Sequence, residues 1–295
     1  MIHIPVLKKE VIEYLNPKVN QNFIDCTVGG GGHALSILSL TDPKGKLLGI
    51  DWDKKAIDDL EIKNEKRLIL VHDNFANLEE IVKEHNFQDI SGVLLDLGMS
   101  SWHLEESGKG FSFQKEEPLD MRYDSNQEDS LTAEVIVNQY PQEQIENILK
   151  EYGEERFARR IAKRIVEKRR IKPIKTTFQL TEIIGGIVPS WYKRKRIHFA
   201  TRTFQALRIA VNNELDNLQK VLPQAIETLN PGGKIVVISF HSLEDRIVKN
   251  FFKEQKKNNS IEILTKKPIQ PSLEEISINH RARSAKLRAA IKNIN

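Results

Sequence analysis

Four short apolar runs, Phe23–Cys26, Lys46–Asp51, Arg67–His72 and Ser91–Leu97, alternate with helix-like segments, and this alternation limits the fold more than any other feature of the chain. Runs without a polar face need cover on both sides, which a parallel sheet flanked by helices provides. The segments between them, Ala34–Leu40, Lys54 to about Glu61 and Leu78–His85, suit crossover helices. From about Trp102 to His198 the alternation stops, and loops and helices follow without a convincing buried strand. One helix there has a plain apolar stripe, Phe157, Ala158, Ile161, Ala162 and Ile165, with Arg156, Arg159, Arg160 and Lys163 on another face. A long helical stretch from Thr203 to about Leu229 then ends at Asn230-Pro-Gly-Gly233. Lys234–Phe240 reads as a strongly apolar strand, and Ile261–Thr265 and Leu287–Ile291 could complete the sheet. The expectation is an α/β chain: one discontinuous Rossmann-like domain of residues 1–103 and 204–295, and a helical insertion of residues 104–203. Asp124–Ser130 is the only linker-like stretch.

At 39% hydrophobic and 29% charged residues the chain is a folded globular protein rather than a disordered one. No run approaches the roughly 18 apolar residues of a membrane helix, so no membrane partner is expected. The first residues lack a secretory pattern, and a single cysteine, Cys26, excludes an internal disulfide framework and a cysteine-rich metal site. A cytoplasmic location follows as the simplest expectation. Net charge is only +4, but it is unevenly spread. Basic residues gather in Arg156–Lys175, Lys193–Arg196 and Arg281–Lys292, and acidic ones earlier, at Glu105, Glu106, Glu116, Glu117 and Asp120. Such asymmetry suits a polyanion held against one side.

Gly29 to Gly32 stand between the first strand and its helix. Glycines there allow positive φ and close approach of a ligand to the main chain, beside the unpaired N–H groups of a helix N-terminus. In doubly wound sheets ligands bind at the carboxyl ends of the strands. Asp51, about 20 residues on at the end of the second strand, is placed to accept hydrogen bonds from two ribose hydroxyls. Asp96 closes the fourth strand, and Phe75 can pack on an adenine ring. These features indicate a nucleoside cofactor. The dinucleotide fingerprint is broken, because Ala34 stands where its third glycine would be, although that position tolerates alanine. NAD and S-adenosylmethionine therefore both remain open on the residues alone. No metal site is expected, since His33, His72, His103 and His241 share no ligand spacing.

Taken together, His3-x-Pro5-Val6-Leu7, Asp25-x-Thr27-x-Gly29-x-Gly31-Gly32-His33, Asp96-Leu-Gly-x-Ser-Ser101, Gly110-Phe-Ser-Phe113, Pro118-Leu-Asp-Met-Arg122, Tyr152-Gly-Glu-Glu155, Thr203-Phe-Gln-Ala-Leu-Arg-Ile209, Ser239-Phe-His-Ser-Leu-Glu-Asp-Arg246 and Arg281-Ala-Arg-Ser-Ala-Lys-Leu-Arg288 resemble the RsmH (MraW) family. The ordered motifs span nearly the whole chain. The resemblance implies a class I methyltransferase sheet with an inserted helical domain. It implies S-adenosylmethionine as cofactor and, as reaction, methylation of the N4 amine of one cytosine in the decoding region of bacterial 16S rRNA (cytosine 1402 in the family's convention). The implied partner is 16S rRNA within the small ribosomal subunit, not DNA; a homodimer is compatible with these features.

Position by position, Gly31, Gly32 and His33 match the family's glycine-loop contacts. Asp51 matches its ribose-binding acid, Phe75 its aromatic contact and Asp96 its acid on the fourth strand. His103 stands where the family commonly has glutamine, and an imidazole cannot reproduce the paired donor and acceptor of an amide. In the implied reaction the cytosine amine displaces the sulfonium methyl in line. Asp96 is the first candidate to accept the amine's hydrogen bonds, with Ser100 or Ser101 assisting, and a role of Asp96 toward the cofactor's methionine amine has equal weight. Ser100, Asp120, Arg122, Ser239 and His241 are candidates to shape the cytidine pocket; a salt bridge for Arg122 and a helix cap for His241 are the plainer readings. The basic segments would contact phosphates, and Trp191 and Tyr192 would offer stacking surfaces. A nicotinamide oxidoreductase and a non-enzymatic RNA-binding protein are the rival classes.

Overall fold

The computed structural model describes residues 5–60, 65–124 and 130–294. In it the four apolar runs form β1 (Asn22–Asp25), β2 (Leu47–Asp51), β3 (Leu68–His72) and β4 (Ile90–Asp96), followed by β5 (Lys234–Ser239), β6 (Ile261–Ile263) and β7 (Lys286–Lys292). His3, Glu61 and residues 125–129 of the linker-like stretch lie outside the described residues. The strands make one sheet in the order β3-β2-β1-β4-β5-β7-β6. β1 to β5 pair in parallel, whereas β7 runs antiparallel to β5 and β6. The expected parallel sheet is thus corrected at one edge. The chain comes back from β6 through the short helix Leu273–Ile278 and a 3-10 turn at His280–Ser284, and so enters β7 reversed.

Alternate residues of each strand face opposite cores, which explains the unbroken apolar runs. Ile24, Leu48, Ile50, Val93, Leu95, Ile235 and Val237 share one cluster with Leu78, Ile81, Leu218, Val221, Leu222, Val248 and Phe252. Phe23, Leu47, Leu94, Val236 and Ile238 face the other, beneath Val11, Leu15, Ala34, Ile37 and Leu38. Order reverses at β1, whose neighbours are β2 and β4. The carboxyl ends of β1 and β4 therefore flank the crevice where such sheets take ligands.

The chain divides into two compact units, Met1–Gly98 with Leu215–Asn295, and Met99–Glu214. The second unit is wider than the expected 104–203 insertion, and its core shows why. Phe204, Leu207, Ala210 and Val211 of the helix Thr201–Asn212 are buried in it, and Met99 and Leu104 pack against it. The expected continuous helix from Thr203 to Leu229 is in fact two, Thr201–Asn212 and Glu214–Thr228. Asn213, at φ 50°, turns left-handed between them, a conformation asparagine tolerates better than most residues. The amphipathic helix is present as Ala158–Arg169, with Ala158, Ile161, Ala162 and Ile165 buried. Among the described residues the second unit contains no strand, only an isolated bridge between Pro118 and Thr176. No helix among the described residues is long and apolar enough to cross a membrane.

Candidate active site

Past β1 the chain threads between its neighbours: the Cys26 N–H donates to the Leu94 carbonyl of β4, and the Val28 N–H to the Ile50 carbonyl of β2, both at 2.9 Å. Gly29 and Gly31 then take φ of 47° and 74°, in the left-handed region. Gly31 caps the helix Gly32–Leu40. At Gly32 a Cβ would lie 2.9 Å from the Pro5 ring, so the bare backbone is what lets the N-terminal segment pack there. Asp51, at the end of β2, fixes the loop from the side. Its Oδ2 accepts the Gly29 N–H and its Oδ1 the Asp53 N–H, each at 2.9 Å. A carboxylate oxygen accepts more than one hydrogen bond, so these contacts aim Asp51 without exhausting it. Phe75 follows β3 in a 3-10 turn, Phe75–Asn77, capped by Asn74, whose Oδ1 accepts the Ala76 N–H. Its ring is half-buried against the core.

Asp96 closes β4. Its N–H donates to Thr27 Oγ1 at 2.7 Å, and its Oδ2 lies 3.5 Å from His33 Nε2, an ion-pair contact looser than a good hydrogen bond. Thr27 also donates to Asp25 Oδ1 through its N–H and, at 3.3 Å, its hydroxyl. Burial pushes the Asp25 carboxyl up to about 6; His33 and the Thr27 N–H oppose this, while Asp96 and Asp51 add to it. For His33 burial acts downward, yet contact with Asp96 and the charges of Asp96 and Asp25 outweigh it, against Lys8, and raise the imidazole above its usual value. Burial, with Asp25 adjacent, lifts the Cys26 thiol well above its ordinary range, which leaves it inert as a nucleophile.

The candidates for the substrate are held in local structure. Ser239 is fully buried at the end of β5 and its hydroxyl donates to the Lys286 carbonyl, so it serves the sheet and not a pocket. His241 caps the helix Ser242–Lys257: its Nδ1 accepts the Glu244 N–H, and Glu244 Oε2 accepts the N–H groups of Phe240 and His241. In the second unit Ser100 caps the helix Ser101–Glu105, and its Oγ lies 2.8 Å from His103 Nδ1. The His103 ring is buried, edge-on to Trp102, Phe111 and Tyr123 at 5.4, 5.2 and 5.1 Å. The Ser101 side chain lies outside the described part of the structure. Arg122 grips Asp120 at both oxygens, at 2.8 and 3.0 Å, and this bond, against burial, raises its guanidinium further. One expectation fails here and another is narrowed. Tyr192 is buried, and its hydroxyl donates to Glu155 Oε2 at 2.9 Å; burial and Glu155 push it up to about 12, so it offers no stacking face. The basic tail is largely strand β7, with Arg288 buried against Asp245 at 2.7 Å and Lys292 Nζ donating to the carbonyls of Glu227 and Leu229, while Arg283 in the turn before it is exposed.

A model of the MraW methylase family matches residues 1–293. The chain belongs to the MraW methylase family. It is similar over 310 residues, at 47% identity and with 99% of each chain covered, to the ribosomal RNA small subunit methyltransferase H of Halothermothrix orenii. Proteins of the same name from Clostridium botulinum (strain Kyoto / Type A2) and Persephonella marina are 47% and 48% identical, each comparison covering 98% of both chains.

In the first unit of this MraW methylase, polar groups gather at the strand ends. Buried Asp96 Oδ1 and His33 Nδ1 have no hydrogen-bond partner among the described residues, and they flank the glycine loop. The His33 imidazole suits the carboxylate of an amino-acid group such as that of S-adenosylmethionine, and Asp96 Oδ1 suits an N–H donor of a ligand. Gly31, Gly32, His33, Asp51, Phe75 and Asp96 all lie at the carboxyl ends of β1 to β4 or in the segments that follow them, within one unit. His103, Ser100, Asp120 and Arg122 belong to the other. Asp25 and Thr27 have no role in the sequence reading, although they lie inside its motif. The one available signal is a carboxylate directly after Phe23-Ile24, where a strand end is about to be buried.

Proposed function

We propose that this methylase transfers a methyl group from S-adenosylmethionine to the N4 amine of a single cytosine in the decoding region of 16S rRNA. The observation that carries this reading is Asp96: a strand-end carboxylate with one oxygen facing His33 and the other unpartnered, in a chain whose relatives are named ribosomal RNA small subunit methyltransferase H. When bound, S-adenosylmethionine supplies an electrophilic sulfonium methyl. Asp51 would hold the ribose hydroxyls, Phe75 the adenine, and Gly31, Gly32 and His33 the amino-acid end. The exocyclic amine is a poor nucleophile because its lone pair is delocalised into the ring. Asp96 offsets this by accepting an amine N–H as positive charge develops on nitrogen.

The helical unit is assigned to the RNA. A base within folded RNA must be splayed out to be methylated. In this unit Trp191 is 46% exposed, with the Arg156 guanidinium 5.5 Å and the Lys195 ammonium 5.2 Å from its ring centroid. Aromatic and cationic groups so combined suit unpaired bases and phosphates. Ser100, Asp120 and Arg122 are the further groups of this unit assigned to the substrate. Labelled methyl transfer tests the reading: small subunits lacking the modification should take up label and fully modified subunits none. Equal uptake by both, or calorimetric binding of NAD in place of S-adenosylmethionine, would overturn it.

A further inference from the structure

Asp25 and His33 are buried ionisable groups for which the reading above supplies no chemistry beyond a cofactor contact. Asp25 is 1% exposed and His33 5%. Asp25 ends β1, Asp96 ends β4 and His33 stands in the first turn of the helix after the glycine loop, so three elements deliver two acids and one imidazole to one place. Thr27 ties the acids together, its hydroxyl donating to Asp25 Oδ1 and accepting the Asp96 N–H. A buried carboxylate beside a half-buried one is costly to ionise unless a cation stands with them. His33, with Nε2 at 3.5 Å from Asp96, is that cation. The other charged groups acting on the pair are Lys8, on the helix Lys8–Leu15, and Asp51 of β2. A protonated imidazole is disfavoured at a helix N-terminus, so the acids are what hold it there.

We infer that Asp25 and His33 are positioning residues for the methyl transfer: Asp25 keeps a proton on His33, and the resulting imidazolium holds Asp96 as an ionised, fixed acceptor for the substrate amine. This rests on Asp96 being that acceptor. As N4 bonds to the methyl carbon, the carbon–sulfur bond breaks with its electron pair on sulfur, and the proton leaves N4 for Asp96. The methylated amine is strongly acidic before it loses that proton, so its acceptor needs to be ionised and in place rather than strongly basic. An imidazolium 3.5 Å from Asp96 Oδ2 secures both conditions. Activity therefore requires protonated His33 and declines as pH rises through its midpoint.

The test is an NMR titration of isotope-labelled histidine in the whole protein, with the His33 signal among the eight assigned by His33→Gln. His33 should titrate above the usual 6.5. Asp25→Asn, which keeps an acceptor for Thr27, should lower its midpoint by about one pH unit. The alkaline limb of the kcat profile should move down by the same amount. A His33 midpoint or an alkaline limb unmoved by Asp25→Asn would overturn the inference. Should that variant fail to fold, Asp96→Asn supplies the titration, and an unmoved His33 midpoint there would overturn it equally. Failure of the cytosine reading shows separately, as wild-type enzyme that leaves N4 unmethylated while the titration behaves as described.

Discussion

The two units use charge in opposite ways. In the sheet unit the ionisable residues of the site are few and set where elements begin or end: Asp25 and half-buried Asp96 close strands, buried His33 opens a helix, and they are held by Thr27 and by one another. In the helical unit charge is abundant and faces water, as at Arg156, Arg159, Arg160 and Lys163, and several inward charges are paired. Arg208 is bonded to both oxygens of Glu214 at 2.7 and 2.8 Å, and Arg122 to Asp120. Buried charge is expensive and therefore positioned, so it suits chemistry; exposed charge is cheap and screened, so it suits attraction to a polyanion.

That contrast predicts where each variant acts. Asp96→Asn keeps the shape but removes the acceptor's charge, and should lower kcat on the order of 10²- to 10⁴-fold while affinity for the small subunit stays as in wild type. Weakened subunit binding with kcat intact would break the division. Asp25 gives the next effect. Its folded-state value of about 6, against the usual 3.8, is raised, so its protonated form favours folding and that stability is lost as pH rises through about 6. Asp25→Asn escapes the loss. Urea unfolding should show it more stable than wild type by about 3 kcal/mol at pH 8, and the gain should vanish below about pH 4. Trp191→Ala should weaken subunit binding by about 1–3 kcal/mol and leave S-adenosylmethionine affinity unchanged in calorimetry. The smallest effect is expected from Lys195→Ala, which should reduce the slope of log affinity against log salt by about one. An unchanged slope would place the phosphate contacts elsewhere.

The sheet, its acidic strand ends and the glycine turn were largely legible in the sequence because burial leaves a local record. Phe23-Ile24-Asp25 and Val93–Asp96 are apolar runs ending in an acid, and Gly29 to Gly32 mark a turn that side chains would obstruct. What was not legible depends on partners distant in sequence. The reversal of β7 follows from how the chain returns from β6, and composition is blind to direction. The break at Asn213 interrupts a stretch whose apolar spacing continues through it. Tyr192 looks like a neighbour of Trp191, yet Glu155 draws its hydroxyl inward. Ser239 and His241 sit in a chemically suggestive motif and are held by the Lys286 carbonyl and a helix N-terminus. The acid pair Asp25 and Asp96 shows only when β1 and β4 are adjacent, across about 70 residues of chain.

The measurement that tests the account most directly is where the methyl group lands. Small subunits lacking the modification are incubated with the enzyme and S-adenosylmethionine, digested with nuclease, and their cytidines separated by mass spectrometry with fragmentation of the base. The account predicts one N4-methylated cytidine, in the decoding region, absent with Asp96→Asn. A methyl group at carbon 5, on another base, or undiminished with Asp96→Asn would contradict it.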